Sequence, residues 1–140
     1  LLQETSPENL SMELDAGCCA AAGYDPIEFV KQYPGRVKLI HIKESDKVTG
    51  VQPPMDFGGL EKDETGRPVF SDEIKAVMDA SRRINCPGGK GLVDWKALKE
   101  AADAEGCCHY IVEREFTPEP YSTRVEALEA DLKCYHSLLD

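Results

Sequence analysis

Arg36-Val37-Lys38-Leu39-Ile40-His41-Ile42-Lys43-Glu44 decides how the chain is read. It is a short apolar run that meets charge at its far end. It follows a Pro34-Gly35 turn, a good entry point for a strand. In extended chain Val37, Leu39 and His41 fall on one side, and Lys38, Ile40 and Ile42 on the other. An imidazole is thus placed near the C-terminal end of a buried strand. Alone, it reads equally well as a core histidine with satisfied ring nitrogens.

Upstream, Ser11 to Asp15 reads as a brief strand ending in an acid, and Leu1 to Glu8 as the tail of a helix and a turn. Ala16 to Gly23 is small and Cys-rich, as a tight strand-to-helix connection would be. Asp25-Pro26-Ile27-Glu28 then starts a helix, with Asp25 as N-cap, Pro26 in the first position and Glu28 closing a capping box. Downstream, Lys43 to Phe70 is polar and marked by Gly and Pro, a length unusual for a loop without a function. Ser71 caps a helix over Asp72 to Ile84, and Cys86 to Gly91 breaks it. Asp94 caps a helix over Trp95 to Glu105, which Gly106 terminates. Cys108 to Glu113 is a third strand, again with an acid at its end. Ser122 caps a last helix with Val125, Leu128, Leu132, Tyr135 and Leu139 on its apolar face. Strands alternating with helices predict a parallel sheet with right-handed crossovers.

Bulk properties narrow the function. The 140 residues suffice for one domain with a core. A net charge of −10 and a pI near 4.8 argue against nucleic acid and against an anionic membrane surface. No apolar run approaches the roughly 20 residues of a membrane helix, and no signal peptide is visible. The six cysteines lack Cys-x-x-Cys spacing. They read as small buried hydrophobes in a reducing cytoplasm rather than a disulfide framework.

The chemistry gathers at strand ends. Asp15, His41 and Glu113 each lie at or near the C-terminal end of a strand, the edge where parallel α/β sheets bind ligands. Two carboxylates and an imidazole suit a divalent ion, with Mn²⁺ favoured over Mg²⁺ or Co²⁺. The competing reading makes the two acids ordinary solvated strand ends. The Gly89-Lys90-Gly91 turn has the form of an anion cradle, though a plain turn explains it as well.

Leu14-Asp15-Ala16-Gly17, Ala22-Gly23-Tyr24-Asp25-Pro26, Tyr33 to Val37, Leu39 to Glu44, Gly89 to Trp95 and Tyr110 to Glu113 follow one another in an order and spacing that carry a resemblance. Together they resemble the sugar phosphate isomerase/epimerase family of the xylose isomerase-like TIM-barrel superfamily. The resemblance implies an α/β fold over residues 1–140: about strands six to eight of a (β/α)₈ barrel, its C-terminal part, with an inserted loop and helix at about 45–89. It implies Asp15, His41 and Glu113 as three of four metal ligands, the fourth being a Glu on an earlier strand. Glu113 and that absent Glu would move the substrate proton next to a metal-bound carbonyl. Lys43 and Lys47 would contact a sugar or keto-sugar. Cys18 departs from the pattern, standing where relatives often carry a His.

A closed barrel needs eight strands and about 250 residues. The expectation is therefore a chain that works with an N-terminal barrel portion or a companion chain, as an oligomer, and is inactive alone. Keto-inositol dehydratases and 3-oxo-glycoside-cleaving lyases resemble the same scaffold. They give an alternative chemistry, for which Pro53-Pro54-Met55 and Phe57 could contact a larger substrate or a partner subunit. A non-catalytic interaction fragment is the third reading.

Overall fold

A computed structural model describes residues 1–51, 59–83 and 85–139. Pro53 to Met55, Phe57 and the expected helix end at Ile84 lie outside the described residues. Three strands, β1 (Met12–Asp15), β2 (Val37–Ile42) and β3 (His109–Val112), form a parallel sheet in the order β1-β2-β3. The alternation of elements predicted this arrangement.

Helices cover one face. The Ala16 to Gly23 stretch is not an irregular connection but opens with a short helix, α1 (Ala16–Ala21), which begins the moment β1 ends. The Asp15 carboxylate caps it by accepting the Cys18 N–H at 2.8 Å. Its small residues let the backbone come close: a Cβ on Gly17 would lie 2.0 Å from the Lys43 carbonyl oxygen. The Asp25 side chain caps α2 (Pro26–Gln32) through the Ile27 N–H. The expected capping box does not form there, because Glu28 pairs with Lys31 instead. After α3 (Asp72–Arg83), α4 (Trp95–Ala104) starts at the Asp94 cap, and Gly106 follows it with φ +80°.

A capping box does open α5 (Arg124–Leu139), centred on Thr123 rather than Ser122. The Thr123 hydroxyl accepts the Glu126 N–H, and the Glu126 carboxylate accepts the N–H groups of Ser122 and Thr123. The expected N-terminal helix tail is a single 3₁₀ turn, Leu2–Glu4. Buried Arg36 ties that segment to the start of β2 through the carbonyls of Leu2, Thr5 and Leu10.

The core lies between the sheet and α2, α4 and α5. Leu14, Ile40 and Ile42 pack there with Val30, Trp95, Leu98, Ala102 and Tyr135. The opposite face carries Glu13, Leu39, His41, His109 and Ile111, all exposed or half-buried. Thus the buried side of β2 is that of Ile40 and Ile42, and His41 belongs to the more open side. All six cysteines are free; Cys86 and Cys107 are buried, whereas Cys18 and Cys108 are exposed. Among the described residues no helix is long and apolar enough to cross a membrane.

Candidate functional site

Register places the site. Asp15 pairs with His41 across β1 and β2, and His41 with Ile111 across β2 and β3. Glu113 sits one residue beyond β3, where its N–H still donates to the Ile42 carbonyl. Its side chain turns back toward the imidazole. His41 Nδ1 lies 3.4 Å from Asp15 Oδ2, and Nε2 lies 3.1 Å from Glu113 Oε2. The three side chains are 17%, 28% and 50% exposed for His41, Asp15 and Glu113. They form a line of acid, imidazole and acid on the open face of the sheet, at the C-terminal ends of its strands.

In kind, this donor set fits a hard divalent cation: two carboxylates and one imidazole, reachable from solvent. In arrangement, the imidazole lies between the acids, with one ring nitrogen toward each. Among the described residues no three His, Cys, Asp or Glu side chains are grouped to hold a metal ion. Ion binding here would require the imidazole to be neutral and to exchange a carboxylate contact for the cation.

Lys43 lies two residues beyond His41, at the end of the same strand. Its ammonium pairs with Glu115, two residues beyond Glu113. Burial alone would push Lys43 down. The Glu115 hydrogen bond and charge, reinforced by Asp15, outweigh this and hold the ammonium above its ordinary value. Although the residue as a whole is exposed, desolvation of its thiol and the adjoining Asp15 carboxylate push Cys18 up to about 12. Cys18 is therefore a neutral thiol at the edge of the site, not a nucleophile. Lys47 is exposed in the loop after β2, and among the described residues it makes no hydrogen bond or ion pair with Asp15, His41 or Glu113.

The Gly89-Lys90-Gly91 turn does face an anion, but one belonging to the protein. Glu44 Oε1 accepts from the Gly89 N–H at 2.6 Å, from Trp95 Nε1 at 2.7 Å and from the Tyr135 hydroxyl at 2.7 Å. Beside it Asp131 accepts the Gly88 N–H at 2.8 Å and pairs with buried Arg114. This buried network anchors the end of the insert beneath the strand ends.

Sequence reasoning missed Glu115, Glu44 and the Arg114–Asp131 pair. A local signal existed for Glu115: His41 and Lys43 share one spacing of two, and Glu113 and Glu115 share the same spacing. For Glu44 and Asp131 none existed, because their partners are remote in sequence.

No protein-family model matches the chain. It is 26% identical over 131 residues to an inosose dehydratase of Lacticaseibacillus casei, covering 93% of this chain and 39% of that protein. It is 23% identical over 119 residues to an inosose dehydratase of Geobacillus thermodenitrificans, covering 84% and 35%. Its fold is similar to the crystal structure of a sugar phosphate isomerase/epimerase from Parabacteroides distasonis. The TM-score is 0.58 at 20% identity, with 94% of this chain and 33% of that one aligned. The chain spans between about a third and two fifths of the length of these relatives. The chain has the fold of part of a TIM barrel.

Proposed function

We propose that this chain is the C-terminal portion of a divalent-metal-dependent sugar or sugar phosphate isomerase or epimerase that removes a proton from the carbon next to a carbonyl. The observation that carries the reading is the Asp15–His41–Glu113 line across three neighbouring strand ends. Asp15, His41 and Glu113 would hold the cation, Mn²⁺ in the first instance. When bound, the cation would supply Lewis acidity at the substrate carbonyl. The Glu113 carboxylate, half exposed on the open face, would accept the acidified proton. Lys43 would present its ammonium to a substrate oxygen, and Lys47 would reach the same substrate from the loop above. In an isomerase or epimerase the proton returns to carbon, with a second carboxylate from the remainder of the barrel serving the opposite side.

The inosose dehydratases favour a second reading. The first step would be the same proton abstraction. The neighbouring carbon would then lose its hydroxyl, which leaves as water after taking up a proton.

Either activity would belong to the assembled barrel. Native mass spectrometry of the protein from its own cells, with metals retained, tests the assembly. The expected species exceeds the 15.5 kDa of these 140 residues by the other βα units, in the same polypeptide or a companion, and by a divalent ion. A bare, metal-free monomer overturns the proposal. In the active assembly, Glu113→Gln should abolish turnover and leave the circular dichroism spectrum unchanged. Solvent deuterium appearing in a recovered sugar marks the isomerase, and loss of water from a keto-inositol marks the dehydratase.

A further inference from the structure

Glu113 lies beyond the end of β3, where its N–H makes a last, 3.3 Å link to the Ile42 carbonyl. Its side chain is half exposed, yet its carboxylate stands 3.1 Å from His41 Nε2. The next residue faces the other way. Alternation of open and covered positions continues past the strand from Ile111 to Phe116, and Arg114 is the buried member. Its Nε and Nη2 donate to Asp131 Oδ2 at 2.7 and 2.5 Å. Its Nη1 donates to the Cys86 carbonyl at 3.0 Å and to Asn85 Oδ1. Asp131, 1% exposed on α5, accepts the Gly88 N–H with its other oxygen. β2 ends in the same manner: Lys43 stays at the open edge, and Glu44 enters the helical layer to accept the Gly89 N–H. Both strand ends are thus fastened to the turn from Cys86 to Gly89.

A buried ion pair is weak evidence for stability, because apolar residues of similar volume commonly serve as well. Here α5 buries Asp131 while Val125 and Leu132 stay exposed. What apolar packing does not supply is direction, since a planar guanidinium meets its acceptors in a fixed fork. We propose that Arg114 is a positioning residue: its fork on Asp131 and the Cys86 carbonyl turns the Glu113 carboxylate onto His41. The placement stands on these contacts alone. Its use in proton transfer rests on the reading of Glu113 as proton acceptor.

The His41 Nε2 resonance of the intact assembly, carrying ¹⁵N-labelled histidine and freed of metal ions with EDTA, reports the contact. Its loss in His41→Gln assigns it, and Glu113→Ala gives its position without the carboxylate. Arg114→Lys keeps the charge and loses the fork. Arg114→Met combined with Asp131→Leu replaces the pair by apolar groups. Both variants should keep the wild-type circular dichroism spectrum and move the resonance to its Glu113→Ala position. A folded variant with the wild-type resonance overturns the proposal. Unfolding of both variants also overturns it, because the pair is then structural only. Wild-type protein whose resonance already matches Glu113→Ala has no contact to position, and the proposal fails with it. The reaction is judged apart: absence of both deuterium exchange and dehydration, with the resonances as expected, removes the proton-acceptor reading and leaves the positioning in place.

Discussion

Glu44 follows Lys43, yet its side chain enters the helical layer while Lys43 stays at the open edge, as neighbours on extended chain must. It is 2% exposed, and three donors converge on Oε1. Oε2 lies against the Gly91 backbone and has no hydrogen-bond partner among the described residues. Burial raises the Glu44 pKa, against the pull of Tyr135, Gly89 and Trp95. A carboxyl raised in the folded state binds its proton more tightly there than in the unfolded chain. Its contribution to stability is complete below the ordinary glutamate value and is lost as pH rises through the folded value. Glu44→Gln keeps an accepting oxygen and cannot ionise. Thermal melts over a pH series should therefore show a shallower loss of stability above the ordinary glutamate range than wild type does. Identical slopes would mean that Glu44 is not the group responsible. The sequence displays Glu44 as one more charge at a strand end. Its donors stand 45, 51 and 91 residues away, so no local pattern announces a buried acid.

Among the elements, the three strands and α4 were legible because each carries its own signal: alternation, a cap, a terminating glycine. The last helix misleads. Of the expected face, Tyr135 is buried and Leu139 packs against the core, but Val125 is 66% exposed and Leu132 41% exposed. The buried line is Ala127, Asp131 and Tyr135. Asp131 turns inward because Arg114, at the end of β3, pairs with it, and a buried acid becomes tolerable only with such a partner. The pairing rotates the helix away from its most apolar stripe. Urea denaturation should reflect this. Leu98→Ala, at a fully buried position on α4, should cost about 2–5 kcal/mol, whereas Leu132→Ala should cost no more than about 1 kcal/mol. Equal costs would show that Leu132 is packed after all.

The molecule as a whole is a sheet with helices on one side and an open surface on the other. Ile111 at 49% exposure lies on that surface with Leu39 and His109, beside the acids of the candidate site. Parallel sheets are ordinarily covered on both faces. The repeating order of strand, helix and strand-end acid made the barrel portion legible. The sequence also showed that three strands do not close one. Which surface would meet the remainder could be read only once register had separated the Ile40 side of β2 from the His41 side. Ile111→Glu should leave the melting temperature of the isolated chain nearly unchanged and abolish co-purification with a companion barrel portion. A variant that still co-purifies would place the assembly surface elsewhere.

Asp15 divides its two oxygens between tasks: Oδ1 starts α1 and Oδ2 faces His41. Selection therefore reads position 15 twice. A longer acid that kept the charge beside His41 would lose its place at the start of the helix, and a serine or threonine that started the helix well would forfeit that charge. Neither trait can drift without the other. An aspartate here has a structural reason to persist whatever the chain does, so its presence in a distant relative says little about activity, whereas among the described residues neither the His41 nor the Glu113 side chain caps a helix.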